Sequence, residues 1–123
     1  MQLVIAAQQA ATRSALRILL REEADLQVID EATDSEALVA HVETFRPDVV
    51  VLDWRLPGQP LAQLIAALHN HNKRPGVIVL SGRPEIEQDV RAAGADAFFH
   101  MGDPPWRLVA LLRTFGPGVD ERR

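Results

Sequence analysis

Five short apolar runs, each followed by a stretch with helical spacing, organise this chain. They fall at residues 3–6, 26–29, 49–52, 77–80 and 97–99. The third and fourth, Val49-Val50-Val51-Leu52 and Val77-Ile78-Val79-Leu80, are apolar at every position. A strand with one wet face alternates apolar and polar residues. Continuous Val, Ile and Leu mark a strand covered on both faces, as in a parallel sheet between helix layers. The intervening segments repeat with helical period: Leu61, Leu64, Ile65 and Leu68, then Leu108, Leu111, Leu112 and Phe115. Ala15, Leu16, Leu19 and Leu20 form a similar stripe in the first helix.

Start and stop signals agree with this division. Thr33 and Glu36 have capping-box spacing ahead of Leu38. Pro60, Pro84 and Pro105 stand where helices begin, Gly94 stands where one ends, and Pro47 closes the helix holding Val42 and Phe45. The order is strand then helix, five times. Connections of this length require parallel pairing through right-handed crossovers. The expected fold is therefore α/β, a five-stranded parallel sheet between helices. Such a sheet gathers functional groups at the carboxyl ends of its strands.

Composition narrows the picture. At 123 residues the chain makes one ordinary domain, expected over 1–116. The Gly/Pro-rich stretch 117–123 reads as a flexible tail or the start of a linker. A net charge of −4 argues against direct nucleic-acid binding. The lack of cysteine excludes disulfides and thiolate metal sites. No apolar run approaches the ~20 residues of a membrane span, and no basic segment precedes the first strand. A cytoplasmic location is expected.

Several polar residues fall at the strand ends: Gln8 and Gln9 after the first, Asp53 closing the third, Ser81 closing the fourth, His100 after the fifth. Asp53 directly follows four apolar residues. A carboxylate at the rim of a core costs free energy unless it is solvated, paired or put to use. A helix cap, or an ion pair with Arg55 or Arg83, would account for it structurally.

The run Arg46-Pro47-Asp48-Val49-Val50-Val51-Leu52-Asp53-Trp54-Arg55-Leu56-Pro57-Gly58 resembles the phosphoacceptor segment of response-regulator receiver domains, where an aspartate ends the third strand and a Leu/Met-Pro-Gly turn follows. Val79-Leu80-Ser81-Gly82 resembles their fourth-strand motif, and Arg91-Ala92-Ala93-Gly94-Ala95-Asp96-Ala97-Phe98 their Ala-Gly-Ala-Asp-x-aromatic segment. The resemblance runs from about Leu3 to Phe115. It implies a flavodoxin-like (βα)5 fold of strand order 2-1-3-4-5, with Asp53 at the phosphoacceptor position. It also implies Ser81 and Phe98 as phosphate-contact and switch residues. A turn residue and a plain core aromatic are the structural alternatives for that pair. The implied partners are a histidine kinase or an output domain. A second copy is also implied, docked through the fourth helix, fifth strand and fifth helix, a face drawing on Glu87, Asp89, Arg91, Asp96, Arg107 and Arg113.

The chain departs from the family at three functional positions. The acidic pair after the first strand, which helps bind Mg²⁺, falls at Ala7 and Gln8, and the lysine of the fifth loop falls at Met101. Mg²⁺ prefers hard, charged oxygens. Phosphoryl transfer depends on neutralising charge on the transferring oxygens. With one carboxylate left, no metal and no other cofactor is expected. Weak ligation by Asp53 and Gln8 belongs only to the alternative of a working Mg²⁺-dependent phosphoacceptor. The expectation is a degenerate receiver-like signalling domain, not an enzyme, acting through protein contacts. An alternative of another class is a small-molecule-binding sensory module that uses the neutral pocket.

Other features point to less. His69 and His71 lie at i, i+2 and share no helical face, so a polar helix end fits better than a metal site. Trp54 is placed to cover part of the pocket, and Trp106 either packs or anchors a partner. Ser14 and Ser35 have no nearby His, and the sequence has neither a nucleophile elbow nor a dinucleotide fingerprint.

Overall fold

Strands and helices alternate along residues 1–115, which the structure, a computed structural model, describes. The end of the expected domain at 116 and the tail at 117–123 lie outside the described residues. The elements are β1 (Gln2–Ala6), α1 (Ala10–Arg21), β2 (Gln27–Ala32), α2 (Ser35–Phe45), β3 (Val49–Asp53), α3 (Leu61–His69), β4 (Gly76–Ser81), α4 (Glu87–Ala92), β5 (Ala97–His100) and α5 (Pro105–Arg113). A single 3-10 turn over Pro84–Ile86 leads into α4. All strand pairs are parallel, in the order β2-β1-β3-β4-β5. This is the flavodoxin-like order expected from the sequence.

The sheet divides the core in two. On one face Leu3, Ile5, Val51 and Leu80 meet Leu16 and Leu20 of α1 and Leu108 and Leu112 of α5. On the other, Val4, Val50, Leu52 and Val79 meet α2, α3 and α4 through Leu38, Leu64, Leu68 and Val90. Every residue of β3 and β4 is buried, which explains their unbroken apolar runs. No helix among the described residues is long and apolar enough to cross a membrane.

The structure corrects three local expectations. β2 continues to Ala32 through Asp30 and Glu31, because an edge strand can carry charge; Arg13 and Arg17 both pair with Glu31. The cap of α2 is Asp34, whose carboxylate accepts the Ala37 N–H at 2.8 Å, not Thr33. His69 is not simply a polar helix end. Its Nε2 lies 2.9 Å from Asp96 Oδ2, which also accepts the Val77 N–H at 2.8 Å.

Asp48 joins the starts of two central strands. Its carboxylate accepts the Gln2 N–H at 2.7 Å, its own N–H donates to the Gln2 carbonyl at 2.8 Å, and Lys73 Nζ lies 3.1 Å away. Burial pushes the Asp48 carboxyl up, but the Gln2 N–H and the Lys73 ammonium outweigh it and hold it below its ordinary value. Asp48→Ala is expected to cost about 1 kcal/mol, mostly through the lost Gln2 N–H hydrogen bond, because the exposed Lys73 pair is screened. A carboxyl depressed in the folded state stabilises above its unfolded value. That contribution is lost as pH falls below about 4. Urea unfolding of both proteins at pH 7 and pH 3 should therefore show a smaller difference at the lower pH.

Candidate functional site

Register brings the candidate residues to one edge of the sheet. Ala6 pairs with Leu52, Asp53 with Leu80, and Ser81 with His100. Ala7, Asp53 and Ser81 therefore lie side by side at the carboxyl ends of β1, β3 and β4. All three are buried, Asp53 to 3% exposure. Met101 follows β5, with its N–H donated to the Ser81 carbonyl at 2.8 Å. Gln8 lines a polar groove between α2 and the β3–α3 loop, and Met101 lines an apolar groove between α1 and α5.

The Asp53 carboxylate is held by the residue two places on. The Arg55 N–H donates to Oδ1 at 2.9 Å, Arg55 Nε to Oδ1 at 3.4 Å, and Arg55 Nη2 to Oδ2 at 3.2 Å. The side-chain hydrogen bonds to Asp53, and then its charge, raise the Arg55 pKa above its ordinary value. Between the two partners left open by the sequence, the structure selects Arg55. Arg83 is engaged elsewhere: its guanidinium carbon lies 5.6 Å from the Trp54 ring centroid and its Nε donates to Glu85 at 2.9 Å. Trp54 is half-buried under this cation and packs on the core face shared by α2, α3 and α4. Ser81 is turned toward the β4–α4 loop, where its Oγ accepts the Arg83 N–H at 2.9 Å. Phe98 pairs with Val79, lies on the same core face as Trp54 and is half-buried.

A second cation governs the β1–α1 loop. Arg13 Nη1 donates to the Ala7 carbonyl at 2.9 Å and the Gln8 carbonyl at 2.8 Å, while its Nε holds Glu31 at 3.0 Å. Sequence reasoning missed Arg13, because a contact between a helix and the loop before it leaves no spacing signal. The donor set does not fit Mg²⁺. The side chain at Ala7 offers no oxygen, both loop carbonyls face a guanidinium, and both Asp53 oxygens accept from another. No group of three or more His, Asp or Glu able to hold a metal occurs among the described residues.

The β3–α3 loop is fastened to α2. Ser35 donates its N–H to the Pro57 carbonyl at 2.9 Å, and its Oγ accepts the Gln59 N–H at 3.0 Å. Gly58 crosses over Ser35 with φ of +123°.

Two other expectations change. Trp106 is 64% exposed, with Arg107 over its ring, so it does not pack. Asp96 and Arg113 are engaged away from any α4–β5–α5 face. Asp96 is held by His69, Arg74 and Val77, and Arg113 binds Asp25 and Glu23 near β2.

Comparison with known proteins places these features. The model of the response regulator receiver domain matches residues 3–102. The chain is 31% identical to the two-component response regulator PhoP of Pseudomonas aeruginosa over 92% of its own length and 52% of that protein's. It is 28% identical to the probable transcriptional regulatory protein NarL of Mycobacterium tuberculosis, over 77% of this chain and 45% of that one. It thus spans about half the length of these curated relatives. The solved signal receiver domain of Mycobacterium tuberculosis NarL superposes with a TM-score of 0.82 at 26% identity, covering 93% of this chain and 94% of that one. Receiver domains are signalling modules, and they typically bind Mg²⁺ at their phosphorylation site. Family model, relatives and strand order agree: the chain belongs to the response regulator receiver domain family of two-component signal transduction.

Proposed function

We propose that this is a degenerate receiver domain, in which Asp53 keeps the phosphoacceptor position while Arg55 takes the electrostatic place of a metal. The single observation behind this reading is the Asp53–Arg55 contact, made at both carboxylate oxygens. A carboxylate so held is a poorer nucleophile, and the neighbouring positions Ala7, Gln8 and Met101 supply no compensating charge. Ser81 and Phe98 keep the hydroxyl and aromatic of a switch pair. Without a phosphoryl group that prefers one arrangement, nothing shifts their equilibrium. The domain then works as a cytoplasmic, non-enzymatic contact module for a histidine kinase or an output domain, needing no cofactor. In this proposal the chain divides into a receiver over 1–116 and a flexible tail or start of a linker over 117–123.

The test is direct. The chain is incubated with Mg²⁺ and acetyl phosphate, and its intact mass is followed. The expected result is no added phosphoryl group on wild type. A stable addition that Asp53→Asn removes would support a working phosphoacceptor instead.

A further inference from the structure

The stripe Ala15, Leu16, Leu19, Leu20 is wider than the core needs. Leu16 and Leu20 are buried, but Ala15 is exposed and Leu19 half-buried. Ala11, Ala15, Leu16 and Leu19 form one wall of a groove of about 340 Å³ between α1 and α5. Its floor is Leu80 and Phe99, both core residues, and Leu108 forms the far wall. The volume lies at the low end of small-molecule sites. Small alanines on α1 keep the groove open, and Met101, 39% exposed, is a flexible apolar side chain at its rim.

Two polar residues line this groove, Thr12 and Asp103. Asp103 is the sole charge among them. Its backbone N–H donates to the His100 carbonyl at 2.9 Å. Its carboxylate makes two long ion pairs, with His100 Nδ1 3.6 Å from Oδ1 and Arg107 Nη1 3.8 Å from Oδ2, but neither is close enough for a hydrogen bond, so its acceptor positions stay open. Arg107 is also drawn over the Trp106 ring. The groove is therefore apolar inside and carries one acceptor with spare capacity at its edge.

We propose that this groove binds a small amphiphilic cation, a compact apolar or aromatic body bearing one ammonium, with the body over Leu80 and Phe99 and the ammonium at Asp103. The site stands apart from Asp53 and does not depend on whether Asp53 takes phosphate. Tryptamine serves as the probe, with tryptophol and indole-3-acetate as neutral and anionic analogues of the same body. Each is titrated into the 123-residue chain and followed by amide chemical shifts. Tryptamine should give saturable shifts at Ala11, Ala15, Leu19, Met101 and Asp103, with indole-3-acetate weakest. Asp103→Asn should weaken tryptamine about tenfold, the loss of one charge-assisted hydrogen bond, and leave tryptophol within about twofold. Ala15→Phe, at an exposed helical position, should fill the groove and abolish the shifts while the rest of the spectrum stays folded. Shifts that do not saturate, that survive Ala15→Phe, or that are equal for all three probes would overturn the proposal. So would sedimentation showing that Ala15→Phe dissolves a dimer, since the groove would then belong to a second copy.

Discussion

Gly58→Ala is expected to lower the unfolding free energy by about 3 kcal/mol or more, read as a fall in urea midpoint at unchanged slope. Two effects act together. The residue sits at φ of +123°, a region that strains any side chain. A Cβ there would also fall 1.8 Å from Ser35 Oγ and 2.8 Å from Ser35 Cβ. Ser35 cannot easily retreat, because it is 4% exposed and tied to Pro57 and Gln59. Moving it orphans the Gln59 N–H and unfastens the loop that follows Asp53. Adding Ser35→Gly to Gly58→Ala should recover the steric part and leave the backbone strain together with the lost Gln59 N–H bond to Ser35 Oγ. A loss below about 0.5 kcal/mol, the range of an ordinary surface change, would mean that the loop is not fastened as described.

Restoring the missing charges should have the other large effect. In the variant Ala7→Asp, Gln8→Asp, Met101→Lys, with Arg55→Met to free Asp53, Mg²⁺ affinity is expected to rise at least about a hundredfold. Two unit charges at ~4 Å are each worth about 4 kcal/mol at an effective dielectric of 20, and some of that is lost to desolvation. Acetyl phosphate should then label the variant. Asp53→Asn in the same background should remain unlabelled. The grafted chain is expected to be less stable, since Ala7 is fully buried and a carboxylate there must be desolvated. If the fully grafted chain, folded, still neither binds metal nor takes phosphate, charge alone does not explain the difference from working receivers.

The parts of the fold legible in the sequence were those where one cause acts alone. β3 and β4 are buried on both faces, so their composition announced them, and Asp53 and Ser81 stood out as the polar residues ending those runs. β2 was harder. Its outer half carries Asp30, set against His41, and Glu31, paired with Arg13 and Arg17, and such pairing leaves no periodicity. Contacts set by the sheet were invisible for the same reason. His69 and Asp96, 27 residues apart, meet only because the end of α3 and the residue before β5 are brought together at the start of β4. The choice of Arg55 over Arg83 was not legible either, because Arg83 lies over Trp54 and donates to Glu85 instead. Resemblance supplied the matched positions Ala7, Gln8 and Met101, but not Arg13, which contacts the carbonyls of the first two.

Trp54 adjoins Asp53 and reports on its surroundings, so a Mg²⁺ titration followed by Trp54 fluorescence in a Trp106→Phe chain tests the central claim most directly. With Arg55 on both Asp53 oxygens, the signal should stay flat through millimolar Mg²⁺ at constant ionic strength. A saturable change that Asp53→Asn abolishes would contradict the account.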